Sequence, residues 1–154
     1  MMETIKLSWQ DLEILTQKLI NKLSQEKFDS VLCISSGGLI LGKLIADSLK
    51  MPLSVITAES YDKGTRTNFP IRLGQVSTIR PLKGKILLID DLVESGQTLQ
   101  VISQELLKNP EIKEVKTAVL YDKPQSPFRP HFFVEITSKW VLFPYSKIED
   151  KNLK

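Results

Sequence analysis

The sequence predicts an α/β protein built on a doubly wound, mainly parallel sheet flanked by helices. Short apolar runs bounded by turn residues alternate with segments whose apolar residues recur at helical spacing, as expected for a sheet buried on both faces. Two of those runs lead straight into glycine-containing turns that open a helix. One passes from Ile34 into Ser35-Ser36-Gly37-Gly38, the other from Ile86–Ile89 into Asp90-Asp91-Leu92-Val93-Glu94-Ser95-Gly96. Open parallel sheets place ligands outside the carboxyl ends of their strands, so these turns are the candidate site.

The elements follow in order. Ser8 with Asp11 marks a helix start, and Trp9, Leu12, Leu15, Leu19 and Leu23 continue at helical spacing, which makes Trp9 a core or helix-docking aromatic. Phe28 to Ile34 reads as a buried strand, and Leu39 to Leu49 as a helix with Lys43, Asp47 and Ser48 outward. Pro52 punctuates, and Leu53 to Ala58 forms the second strand. From Glu59 to Lys85 the chain is polar and broken by Gly64, Pro70, Gly74, Pro81 and Gly84; a loop that long in a compact domain is usually functional or mobile. Ile86 to Ile89 is the third strand, Gln97 to about Lys108 a helix ending near Asn109-Pro110, and Val115 to Leu120 the fourth strand. A proline-punctuated tail carries aromatic stretches at His131–Ile136 and Trp140–Tyr145. With no repeat and no boundary for a second unit, residues 1–154 are expected to form a single domain.

Composition narrows the functional classes. The 154 residues suffice for a real core, and a net charge of +3 is too mild to argue for nucleic acid or membrane surfaces. No stretch approaches a membrane span, and Glu3 with the polar residues after it spoils a signal peptide. Cys33 is the sole cysteine, so an internal disulfide is excluded and a reducing cytoplasm is the natural setting. Its apolar strand context makes it a packing residue. His131 is the sole histidine, without a partner for a triad or metal cluster, and is read as structural or surface.

Two adjacent carboxylates can hold a vicinal diol. Glu94 to Thr98 offer backbone N–H groups and two hydroxyls at a helix N-terminus, which suits a phosphate. Together they describe a ribose-5-phosphate pocket. An Asp-Asp strand end also occurs in receiver domains, where the acids bind a metal, and in plain solvated loops.

Over Ile86 to Thr98 the chain resembles the phosphoribosyl-pyrophosphate (PRPP) motif of type I phosphoribosyltransferases: apolar strand, two acids, two apolar residues, an acid, a small hydroxyl residue, Gly, any residue, Thr. The likeness is to the bacterial xanthine-guanine (6-oxopurine) branch. It implies the type I fold with a small C-terminal hood, about 122–146, and a flexible lid loop, about 59–85. It also implies Mg2+-dependent transfer of 5-phosphoribose from PRPP to a purine base, releasing pyrophosphate and a purine nucleotide, with a homodimer or homotetramer as the usual assembly.

The resemblance further implies residue roles. Asp90 and Asp91 would hold the ribose hydroxyls, with Asp91 assisting the metal, and Ser95, Gly96, Gln97 and Thr98 would bind the 5′-phosphate. Ser35, Ser36, Gly37 and Gly38 would form the pyrophosphate loop. Ser36 stands where the branch has Arg, which removes a bidentate phosphate donor. Ser60-Tyr61-Asp62 resembles the start of the lid, and Lys63, Arg66, Arg72 and Arg80 are cations for the diphosphate, Arg72 foremost. Lys123 would donate to the exocyclic oxygen of a 6-oxopurine. Trp140 and Val141, in a stretch similar to the family's Trp-Ile-x-x-Pro-Trp, would wall the base. Glu94 replaces the branch's Asp as the catalytic acid/base, on a longer arm, and Ser146 replaces an acid. A second implied class is a PRPP- or nucleotide-binding regulator of the same fold with weak or no transferase activity.

Overall fold

The computed structural model describes residues 3–60 and 70–146. Helix α1 (Trp9–Leu23) begins in a reciprocal capping box: Ser8 Oγ accepts from the Asp11 N–H at 3.0 Å, and the Asp11 carboxylate accepts from the Ser8 N–H at 2.8 Å. Leu12, Leu15, Leu19 and Leu23 form its buried stripe. Of the two placements expected for Trp9 the structure shows docking and not core: it is 57% exposed, with its ring 6.4 Å from that of Tyr145.

The main sheet runs, edge to edge, β4 (Ile71–Leu73), β3 (Leu53–Ser60), β2 (Ser30–Ser35), β5 (Gly84–Ile89) and β7 (Ile112–Ala118). Its parallel members are β2, β3, β5 and β7, and β4 adds an antiparallel edge. Side chains alternate between two cores, as strands buried on both faces require. Val31, Cys33, Leu87 and Ile89 pack toward α1 and α2 (Leu39–Leu49), whereas Leu32, Ile34, Ile86 and Leu88 pack toward α3 (Gln97–Leu107). The Cys33 thiol is buried, and burial pushes its pKa up to about 11, consistent with packing.

Two small sheets complete the molecule. β1 (Thr4–Lys6) pairs in parallel with β10 (Trp140–Leu142), and β6 (Leu92–Val93), β8 (Tyr121–Asp122) and β9 (Glu135–Ile136) form a parallel trio. None of the described helices is long and apolar enough to cross a membrane.

Segment 59–85 is not one open loop. β3 runs on to Ser60, β4 turns back along it with Glu59 opposite Arg72, and Val55 exchanges backbone hydrogen bonds with Ser77. Edge pairing overrode the polar composition. The fourth strand also ends earlier than expected, because the Val119 and Leu120 N–H groups turn to Phe132 O and Asp91 O.

Gly42 marks the tightest approach of α2 to the sheet: a Cβ there would lie 2.6 Å from Cys33 Cβ. Alanine gains about 1 kcal/mol of helix propensity over glycine, but forcing a methyl into a packed interface costs about 1–3 kcal/mol. Gly42→Ala is therefore expected to lower stability in urea unfolding; a gain would show that the helix has room to move.

Candidate active site

The crossover through α2 carries the chain from β2 to β3, while α3 carries it from β5 to β7 on the other side. The neighbouring strands β2 and β5 thus form the switch point of the sheet, where a crevice opens beyond their carboxyl ends. The turns Ser35–Gly38 and Asp90–Gly96 face each other across it. The Ser35–Ser36 peptide is cis. A Cβ at Gly38 would sit 2.7 Å from Ile89 O and 2.9 Å from Ile34 O; one at Gly37 would sit 2.8 Å from Asp91 Oδ2. These glycines let one turn close on the other. The Gly38 N–H donates to Ile34 O at 2.9 Å, so it is spent on the turn rather than offered to a ligand as sequence reasoning expected. Among the described residues no acceptor meets the N–H of Ser36 or Gly37.

Asp90 Oδ1 accepts from the Asp91 N–H at 2.9 Å, and Asp91 Oδ1 from the Leu92 N–H at 2.7 Å. Asp91 Oδ2 accepts from the Tyr145 hydroxyl at 3.1 Å. Burial first, and then the charge of Asp91, push the Asp90 carboxyl well above the usual carboxylate range. Burial also raises Asp91, against the lowering effect of the Leu92 N–H and the Tyr145 hydroxyl. A desolvated carboxylate pair resists holding two negative charges until a cation or donor arrives. Burial, followed by the Asp91 charge, holds Tyr145 far up as a protonated phenol, able to donate.

Beyond the acids the chain turns into the N-terminus of α3, a geometry suited to an anion. Gly96 caps α3 with φ of 80°, and a Cβ on it would strike Phe128 Cβ at 2.3 Å. Glycine is demanded there by both dihedral and space. The Ser95 hydroxyl accepts from the Gln97 N–H at 3.3 Å, while the first-turn N–H groups of Thr98 and Leu99 have no helical partner. Ile71, Asp90 and residues 92–99 enclose a concavity of about 290 Å³.

Lys123 lies beside this turn, only 3% exposed. Its ammonium donates to Lys139 O and stands 3.9 Å from Glu94 Oε1, on a carboxylate that is 56% exposed. A lysine so deeply placed needs partners, which Lys139 O and Glu94 supply, so Lys123 is not a solvated loop residue. Next to it Asp122 is fully buried, with one oxygen on the Arg129 guanidinium and Oδ1 unpartnered among the described residues.

The phosphoribosyl transferase domain matches residues 2–146. The chain belongs to this family. It is 30% identical to the xanthine-guanine phosphoribosyltransferase of Gluconobacter oxydans over 147 residues, covering 90% of this chain and 82% of that protein. The enzyme of the same name from Desulfotalea psychrophila is 28% identical over 152 residues, covering 92% and 86%. A crystal structure of a purine phosphoribosyltransferase from Pyrococcus horikoshii Ot3 superposes with a TM-score of 0.81 at 29% identity, covering 94% of each chain.

Within this phosphoribosyltransferase fold the remaining sequence-derived candidates are dispersed. Arg72 is exposed on β4, on the face opposite Ile71, which lines that concavity. Arg80 is corrected outright: with Lys50 and Lys83 it lines a separate cavity of about 450 Å³ at the amino ends of β2, β3 and β5. Tyr61, Asp62, Lys63 and Arg66 lie outside the described residues. Trp140 is 52% exposed, whereas Val141 is 6% exposed within the core. The His131 ring is structural, its Nδ1 meeting the Thr117 N–H at 3.0 Å.

Sequence reasoning gave no role to Tyr145 or Phe128. Tyr145 was visible only as the second aromatic of its motif, and no local pattern announces that Phe128 would back Gly96.

The acids offer hard oxygen donors, and no third His, Cys, Asp or Glu joins them among the described residues. That set fits Mg2+, which binds through one or two carboxylates and completes its shell with water and substrate oxygens.

The raised carboxyls carry a pH signature. Groups whose pKa rises on folding stabilise the fold fully below their unfolded value, near 4, and lose that contribution as pH climbs through the folded value. Asp90→Asn keeps the acceptor for Asp91 and removes the part-buried charge. The ligand-free variant should be more stable at neutral pH by about 1 kcal/mol and less pH-dependent, as read by thermal unfolding between pH 4 and 8. Lower stability at neutral pH would contradict the burial argument.

Proposed function

We propose that this phosphoribosyltransferase acts in purine salvage, moving 5-phosphoribose from PRPP to guanine, xanthine or hypoxanthine with release of pyrophosphate. The observation that carries the reading is the buried Lys123 ammonium, 3.9 Å from Glu94 at the lip of the Asp90–Thr98 turn.

The roles follow from chemistry. Asp90 and Asp91 accept from the ribose hydroxyls; Ser95, Gly96, Gln97 and Thr98 hold the 5′-phosphate through the helix N-terminus. Ser35, Ser36, Gly37 and Gly38 border the diphosphate, with the free N–H groups of Ser36 and Gly37 as donors; Arg72, exposed on β4, is the cation that the resemblance assigns to it. Mg2+, held by Asp91 or its neighbour Asp90, would neutralise the departing pyrophosphate. As the C1–oxygen bond breaks and the purine nitrogen bonds to C1, Glu94 takes the proton that the base sheds. Lys123 donates to an oxo group and has nothing with which to accept from an amino group, so it selects against adenine. The base oxygen would replace Glu94 as the partner of Lys123 and release that carboxylate for proton transfer. Trp140, through its exposed ring, and Val141, through its strand edge, flank the base.

A homodimer or homotetramer is the assembly that the resemblance implies. A cytoplasmic setting suits the free Cys33.

The test is turnover with PRPP and Mg2+ against guanine, xanthine, hypoxanthine, adenine and uracil, for the wild type and Lys123→Ala. Oxopurines alone should be converted, and the variant should lose roughly 10- to 100-fold in kcat/KM on them, the worth of a charged hydrogen bond. PRPP binding without turnover of any base would favour a regulator; equal losses on every base would remove Lys123 as the reader of the oxo group.

A further inference from the structure

Tyr145 connects the C-terminal segment to both turns of the crevice. Its hydroxyl lies 3.3 Å from Gly37 O and 3.1 Å from Asp91 Oδ2. Its ring cannot wander: it stacks on Phe143 at 5.2 Å with an interplanar angle of 5°, and the Trp9 ring closes on it at 6.4 Å. Phe143 is itself buried.

A phenol carries one proton, and both of its neighbours here are acceptors. Donation to Asp91 leaves the Gly37 carbonyl without that donor, and donation to Gly37 leaves the Asp91 oxygen without it. The hydroxyl therefore chooses between the two turns, and whatever else donates to Asp91 biases the choice. Gly37 has no Cβ to brace it against the carboxylate, since one would sit 2.8 Å from Asp91 Oδ2. Its carbonyl orientation, and with it the aim of the neighbouring N–H groups, depends on such a donor.

We propose that Tyr145 is a positioning residue that couples the two halves of the PRPP site. When ribose hydroxyls donate to Asp91, the Tyr145 proton transfers its allegiance to Gly37 O and fixes the turn for pyrophosphate. By reciprocity, a fixed turn favours ribose at Asp91. The proposal rests on reading the Asp90–Asp91 turn as the ribose subsite and Ser35–Gly38 as the pyrophosphate loop. Nothing in it requires Tyr145 to touch the reacting atoms.

The coupling can be measured with ligands that do not react with each other. Calorimetric titration of pyrophosphate with Mg2+, with and without saturating ribose 5-phosphate, yields the factor by which one ligand tightens the other. Tyr145→Phe keeps the ring and deletes the hydroxyl; Tyr145→Met, an adaptable apolar side chain with no donor, is available if the first variant folds poorly. The coupling factor should fall by about three- to tenfold in either, the worth of one net hydrogen bond. KM for PRPP should rise more than kcat falls, and the thermal midpoint of the Phe variant should stay within about 4 °C of the wild type. A merely structural tyrosine would lower stability and leave the coupling factor intact. An unchanged factor in a folded variant overturns the proposal. Failure of the wild type to bind either ligand would instead overturn the subsite reading, and the proposal with it.

Discussion

The closeness of two turns governs this molecule. Gly37 and Gly38, at the end of β2, press against Ile89 and Asp91, at the end of β5, with no room for a Cβ on either glycine. Parallel neighbours whose crossovers diverge always leave a crevice, but its depth depends on how near the two turns come. Here the approach places backbone donors beside a desolvated carboxylate pair. That pair is costly to ionise in the empty protein and well matched to ligands that bring hydroxyls and a cation.

The rest of the chain secures that arrangement. β1 clasps β10 and thereby anchors the segment that carries Tyr145 to the crevice. β8 lies beside β6, so the backbone that presents Lys123 is hydrogen-bonded to the backbone that leads into Glu94. Phe128 fills the space behind Gly96, the residue that caps α3. The proposed purine and phosphate ends of the site are thus joined through the paired short strands β6 and β8.

Much of this was legible in the chain. The α2 limits, the Ser8 cap and both switch-point turns follow from periodicity, capping chemistry and glycine placement, all of which are local. The doubly wound sheet follows from the alternation of those segments. Three things were not legible, each because it depends on contacts far apart in sequence. Trp9 sits at a helical apolar position yet faces outward against Tyr145, because its stripe was already filled by Leu12, Leu15, Leu19 and Leu23. Arg80 shares a polar segment with Arg72 but falls at the other end of the sheet, because the chain must return there to begin β5. Val141 carries the apolar character of a stacking wall, and strand alternation turns it into the core instead.

The central claim is that the turns after β2 and β5 form one ligand site together with the segment around Tyr145. Amide hydrogen exchange with and without PRPP and Mg2+ tests it most directly. Protection is expected in peptides covering Ser35–Gly38, Asp90–Leu99 and Trp140–Ser146, with little change at Lys50–Pro52 and Thr78–Lys83. Protection confined to that opposite end of the sheet, or to only one of the two turns, would contradict the account.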